Sequence, residues 1–115
     1  MHGEAADGKG RSRLIWDAHA CLPLHPDADV AVLQRHRRAG CSFVSVNIGM
    51  DMNPLEQIMP VIASFRRQLK SRADLFVEAH RAADVEAAHA SGRLAVGFDL
   101  EGAMPLMGRP EMVQL

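Results

Sequence analysis

Residues 14–23 read LIWDAHACLP, and this stretch predicts how the fold begins. A short apolar run leads into a strand predicted over 14–20, and Asp17, His19 and Cys21 follow one another on alternate positions. Alternate residues of a strand share one face. An acid, an imidazole and a thiol on one face indicate either a hydrogen-bonded structural pocket or the beginning of a metal site.

Outward from this strand, segments with strand and helix patterns alternate along the chain. The apolar patterns predict further strands over 41–49, 75–79 and 94–102, and helices over 28–38, over the stripe that runs from Leu55 to Leu69, and over 83–90. The strands are nearly continuous apolar runs, as expected of strands covered on both faces. Strands that alternate with helices in this way predict parallel βαβ units.

Local signals set the ends of these elements. Asp27 or Asp29 is suited to cap the first helix, and Gly40 to end it. Pro60 falls inside the apolar stripe of the second helix and is expected to kink or split it, because proline lacks the amide hydrogen that a helix uses.

The predicted fold class is α/β, specifically the N-terminal half of a (β/α)₈ TIM-type barrel. A complete barrel takes about 250 residues, whereas this chain has 115 residues with three and a half units. The predicted organisation is a disordered leader over 1–13 followed by the incomplete barrel over 14–115. An open doubly wound sheet fits the same apolar pattern.

Composition narrows the class of protein. Thirteen basic and fourteen acidic side chains give a formal net charge of -1, which argues against a nucleic-acid partner. No run approaches the roughly 18 apolar residues of a membrane span. The first 13 residues lack the apolar core of a signal peptide, and two cysteines do not make a disulfide framework. A cytoplasmic location is therefore predicted.

Polar side chains stand at the predicted carboxyl ends of the strands, where parallel α/β folds carry their chemistry. The residues in question are His19, Cys21, Asn47, His80, Asp99 and Glu101. Imidazole and carboxylate groups converging on one mouth are suited to a divalent cation. A carboxylate in an apolar run, such as Glu101, should have a cation or an arginine nearby.

Structural interpretations stand beside the metal site. A single strand-end histidine is often only hydrogen-bonded, and a free cysteine often behaves as a small buried apolar residue. Asn47 and His80 are suited either to lining the site or to loop hydrogen bonds, and His25, His36 and His89 are expected at the surface or in loops. The sequence contains no phosphate-binding glycine loop, no nucleophile elbow and no CxxC pair.

Two motifs resemble the membrane dipeptidase (renal dipeptidase) family of zinc metallopeptidases. DAHACLP (17–23) is similar to the family's first-strand motif, Asp-x-His-x-Asp followed by Leu-Pro. GFDLEG (97–102) is similar to a later strand that ends in glutamate and glycine, and the similarity extends over about residues 14–107. The family fold is a (β/α)₈ barrel with two metal ions at its mouth.

The resemblance implies roles for individual residues. His19 would bind one zinc ion, Glu101 would bridge two ions as the catalytic carboxylate, and Asp17 would support them. Cys21 occupies the position of the motif's second aspartate, and a thiolate is also able to bind zinc. The implied reaction is hydrolysis of a dipeptide amide bond by a metal-bridging hydroxide.

The resemblance also implies that the chain is incomplete as an enzyme, because the family's remaining ligands come from later strands. We therefore expect the 115-residue chain alone to be inactive or nearly so, with exposed sheet edges and a half-covered core that favour aggregation or self-association. Two other interpretations stay open. One is another metal-dependent amidohydrolase acting on small cyclic amides or esters, and the other is a non-catalytic α/β binding module.

Overall fold

The structure is a computed structural model that describes residues 13–115. Strands and helices alternate in it as predicted. The elements are β1 (Trp16–Cys21), a 3-10 helix (Val30–Leu33), α1 (Gln34–Arg38), β2 (Phe43–Met50), α2 (Leu55–Ser71), β3 (Phe76–Glu78), α3 (Ala82–Ala90), β4 (Leu94–Glu101) and two 3-10 helices (Met104–Leu106 and Pro110–Gln114). The leader predicted over 1–13 lies, except for Arg13, outside the described residues.

All strand pairs in the sheet are parallel, which confirms the predicted α/β class. The strand order is β1-β2-β4-β3. This order differs from half of a regular barrel, in which each strand pairs with the next one along the chain. β4 pairs with β2 from its second residue to its last, whereas β3 has three residues and pairs only with the first three of β4. β3 is therefore a short outer strand.

The main hydrophobic core lies on one face of the sheet. There α2 and the first 3-10 helix cover Val44, Val46 and Val96, all of which are fully buried. Residues of the opposite parity, such as Ala95, point to the second face, where α3 packs through Val85 and Ala88. Helices therefore cover both faces, but the second face is covered only near the start of the strands.

β1 is an exposed edge strand, so the prediction that this strand is buried was wrong. Trp16 is 55% exposed, and the flanking Leu14 and Ile15 are about as exposed. Trp16 stacks on Phe43 of β2 with ring centroids 4.7 Å apart. Within residues 13–115, β1 pairs with β2 alone, which leaves its other edge open.

The helices differ from the predictions in two places. The helix predicted over 28–38 is divided into a 3-10 segment, capped by Asp29 as expected, and α1. Pro60 does not divide α2, because it lies in the second turn and removes only one backbone hydrogen bond. No helix in the described part of the chain is long and apolar enough to cross a bilayer.

Candidate functional site

The second face of the sheet changes from apolar to polar towards the carboxyl ends of the strands. On β2, Phe43 is followed at alternate positions by Ser45 and Asn47. On β4, Ala95 is followed by Gly97 and Asp99, and Asn47 lies directly beside Asp99 in the strand register. The side chains beyond the α3 contact therefore form a polar surface at one end of the sheet.

His19 reaches this surface from a β-bulge. The register between β1 and β2 shifts between Asp17 and Ala20, so three steps along β1 match two steps along β2. A bulge re-aims the side chains next to it, and bulges occur often beside active sites. Strict alternation therefore fails between Asp17 and Ala20. The prediction that Asp17, His19 and Cys21 share one face is wrong for Asp17, whereas Sγ of Cys21 lies 3.7 Å from Nε2 of His19.

The Nδ1 atom of His19 faces the carboxylate of Asp99. The Nδ1 atom lies 3.1 Å from Oδ1 and 3.2 Å from Oδ2 of Asp99. The Ser45 hydroxyl donates to Oδ2 of Asp99 at 2.7 Å, and the Asn47 amide lies 3.4 Å from Oδ1. Ser45 and Asn47 of β2 therefore fix the position of the carboxylate independently of its contact with the imidazole.

The Nε2 atom of His19 faces two further atoms of the kind that bind metal ions. Sγ of Cys21 and Oε2 of Glu101 each lie 3.7 Å from it. We name His19, Cys21, Asp99 and Glu101 the mouth cluster. Its members come from β1 and β4, which are separated in the sheet by β2.

The mouth cluster fits a zinc ion in its chemistry but does not complete a site. Zinc bond lengths of about 2.0–2.3 Å at tetrahedral angles place two ligand atoms about 3.4–3.6 Å apart. The two 3.7 Å separations at Nε2 of His19 are close to this value. Even so, no group of three or more His, Cys, Asp or Glu side chains within residues 13–115 is arranged to hold a metal ion. Within these residues, pairs of possible metal ligands are present, but a complete set of ligands is not.

Glu101 is more exposed than the sequence suggested. Its side chain is 58% exposed, and among residues 13–115 its recorded ion-pair partner is His19 and not an arginine. The glycine that follows it is required by the backbone. Gly102 has φ +112, and a Cβ atom there would collide with the carboxylate of Asp51, which accepts a hydrogen bond from the Met104 amide.

Asp17 supports the site through the main chain. Its Oδ1 accepts a hydrogen bond from the backbone amide of His19 at 3.2 Å, and its Oδ2 lies 3.0 Å from Nε2 of His36. The side chain of His36 is only 14% exposed, so the expectation that it lies at the surface was wrong. Sequence spacing gives no sign of this contact, because α1 brings His36 back over β1.

The two cysteines differ in environment. Cys21 is exposed in the mouth cluster. Burial raises the pKa of the Cys41 thiol, and the carboxylate of Asp17 raises it further. Cys41 is therefore held in the thiol form, which is a poor metal ligand and a poor nucleophile.

The remaining predicted residues divide between the site and a neighbouring groove. Asn47 is buried and belongs to the site through Asp99, and it also donates to the carbonyl of Gly49. His80 is exposed, with its ring 3.7 Å from Glu78, and lines an apolar groove of about 840 Å³ between α2 and β4. Asp99 and Ser45 carry more of the geometry than the sequence indicated, and their shared parity with Asn47 was the available signal.

Comparison with known proteins gives a likeness in structure but none in sequence. No protein-family model matches the chain, and no curated protein matches it. The crystal structure of an amidohydrolase from Pseudomonas aeruginosa matches with a TM-score of 0.73 at 13% sequence identity, over 88% of this chain. The chain spans 30% of the length of that structure. At this identity the likeness establishes a shared fold for the matched part, and the resemblance to membrane dipeptidases stays a prediction.

Proposed function

We propose that this chain is the N-terminal part of a metal-dependent hydrolase barrel, and more specifically of a zinc dipeptidase. The observation that carries the proposal is the geometry of His19. Its Nδ1 atom is held by Asp99, and its Nε2 atom lies 3.7 Å from Sγ of Cys21 and 3.7 Å from Oε2 of Glu101. The fold shared with the Pseudomonas amidohydrolase supports the same class of protein.

The residues have separate roles in this proposal. His19 and Glu101 bind zinc, and Cys21 supplies a thiolate where the dipeptidase motif has an aspartate. Bound zinc would polarise the amide carbonyl and lower the pKa of a water molecule. Glu101 is exposed enough to contact a substrate directly, and Asp17 fixes the backbone of His19.

The incomplete ligand set supports the view that further strands complete the site. β1 has an open edge with three exposed apolar residues around its start, and the apolar groove beside β4 is open to solvent. The matching amidohydrolase is more than three times as long as the matched part. A second group of strands packed against these surfaces would bring further ligands to the mouth cluster.

A substrate panel tests the proposed activity. The full-length product of the gene, loaded with zinc, is assayed against dipeptides, cyclic amides and esters, and the 115-residue chain is assayed in parallel. We expect dipeptide hydrolysis by the full-length protein that is lost on chelation and falls more than about 100-fold in His19→Ala. We expect no turnover by the 115-residue chain. Hydrolysis of cyclic amides alone would replace the dipeptidase with another amidohydrolase.

A second candidate function rests on the alignment of Cys21, His19 and Asp99. A thiol, an imidazole and a carboxylate in this order also occur in thiol hydrolases, where the histidine activates the nucleophile. The two functions respond differently to reagents. Activity that survives chelation and is abolished by iodoacetamide would favour the thiol mechanism. No hydrolysis of any substrate in the panel would favour a binding module.

A further inference from the structure

We infer that Asp99 is a positioning residue that holds the proton of His19 on Nδ1, so that the unprotonated Nε2 faces Cys21 and Glu101. This role of Asp99 rests on the proposed function, in which Nε2 of His19 would bind zinc. The sequence resemblance assigns a role to His19 but none to Asp99.

The contacts of Asp99 show that its carboxylate is placed in advance. Ser45 donates to Oδ2 at 2.7 Å, and Asn47 approaches Oδ1 at 3.4 Å. Both residues belong to β2, which is the most buried strand and pairs with β4 along its whole length. The side chain of Asp99 is 26% exposed, compared with 58% for Glu101. Asp99 is therefore the more rigid of the two carboxylates that face His19.

A rigid carboxylate at one ring nitrogen of an imidazole determines which of the two nitrogens carries the proton. A neutral imidazole has one N–H donor and one acceptor nitrogen, and the hydrogen bond made by one nitrogen selects the state of the other. A carboxylate accepts only, so Nδ1 of His19 must donate to Asp99. The lone pair then lies on Nε2, which faces Cys21 and Glu101. Histidine ligands in metal sites commonly donate their other ring N–H to a carboxylate in this way.

The other acid near His19 has a different role. Asp17 accepts a hydrogen bond from the backbone amide of His19, and its second oxygen is directed to His36. Asp17 therefore fixes the main chain at the bulge, whereas Asp99 fixes the ring. Substitution of the two residues should have separable effects on the imidazole.

The test reads the tautomer of His19 in the absence of metal. The ring nitrogens of the ¹⁵N-labelled 115-residue chain are observed by two-bond ¹H–¹⁵N correlation at about pH 8.5, where imidazoles are mainly neutral. We expect the Nδ1–H tautomer in the native chain and its loss in Asp99→Ala. Asp99→Asn, which keeps an acceptor oxygen, should retain part of it. Asp27→Ala removes an exposed carboxylate beside His25 and serves as the matched control, with no change at His19.

Ser45→Ala guards against a variant that fails to fold. It leaves the carboxylate in place but removes its shortest hydrogen bond, and it should reduce the Nδ1–H population less than Asp99→Ala does. An Nε2–H tautomer in the native chain, or an unchanged tautomer in folded Asp99→Ala, would overturn the inference.

Zinc affinity is measured on the same variants and separates the two proposals. We expect Asp99→Ala to bind zinc about 10- to 100-fold more weakly than the native chain. If the tautomer depends on Asp99 but the native chain and the full-length protein bind no zinc, the positioning role stands and the proposed function fails. If zinc binds and the tautomer does not depend on Asp99, the reverse holds.

Discussion

The centre of the sheet and the mouth cluster are built by different means, although both include residues of β4. At the centre, Val44, Val46, Leu94 and Val96 are fully buried between α2 and the sheet. At the mouth, His19 and Glu101 are 44% and 58% exposed and are held by polar contacts. Burial of apolar surface supplies most folding free energy. The centre should therefore determine stability, and the mouth should determine chemistry at little cost to stability.

The largest expected effect comes from the core helix. Phe65 of α2 is fully buried against the sheet, so Phe65→Ala should lower the free energy of unfolding by about 3–5 kcal/mol. Met59→Ala, on the same helix at a residue 58% exposed, is the matched control and should change it by less than about 0.5 kcal/mol. Urea unfolding followed by circular dichroism measures both.

Glu101→Gln tests the same comparison with a substitution in the mouth cluster. Because its side chain is mostly solvated, the unfolding midpoint should stay near that of the native chain. A loss at Glu101→Gln as large as that at Phe65→Ala would contradict the division between a stabilising centre and a chemical mouth.

A smaller effect is expected at the contact between Asp17 and His36, which lies between the two regions. The 3.0 Å hydrogen bond is partly shielded, so its coupling energy should be about 1 kcal/mol. A double-mutant cycle of Asp17→Ala and His36→Ala measures this coupling in urea unfolding. The matched cycle at His25 and Asp27, both strongly exposed, should give a coupling near zero. Equal couplings in the two cycles would show that burial of His36 adds nothing.

The smallest effect is a pH dependence outside the mouth cluster, at the start of α3. The backbone amide of His80 donates to Asp84 and lowers the pKa of that carboxyl, and Arg81 lowers it further. A lowered pKa in the folded chain means that the contribution to stability is present above the unfolded value of about 3.9 and is lost as the pH falls through the folded value. The difference in unfolding free energy between the native chain and Asp84→Asn should therefore narrow below about pH 4. A difference that stays constant down to pH 2 would contradict this assignment.

Much of the fold was predictable because its signals are local. The β-branched run at 41–49 and the stripe from Leu55 to Leu69 contain the periodicities of β2 and α2, and Asp29 caps the helical segment as expected. The strand order was not predictable, because it depends on which strands match in length and apolar character. β3 proved too short to separate β2 from β4.

The candidate site was predictable in its residue types but not in its geometry. His19 and Glu101 were suggested by their strand ends, and the structure brings them to 3.7 Å. The bulge in β1 has no sequence signature, so the alternation of Asp17, His19 and Cys21 placed Asp17 on the wrong face. Asp99 is 80 positions from its partner His19 in the sequence, and His36 is 19 positions from its partner Asp17. Local sequence patterns do not detect contacts over such separations.

The most direct test of the central claim is a zinc titration of the 115-residue chain by calorimetry. The native chain, His19→Ala and Glu101→Gln are compared, and His25→Ala, which removes an exposed histidine away from the mouth cluster, is the control. We expect zinc binding by the native chain and by His25→Ala, and affinity at least about 10-fold weaker in each of the other two variants. Zinc binding that is unchanged by His19→Ala, or no binding by either the native chain or the full-length product of the gene, would contradict a metal site at the mouth of this sheet.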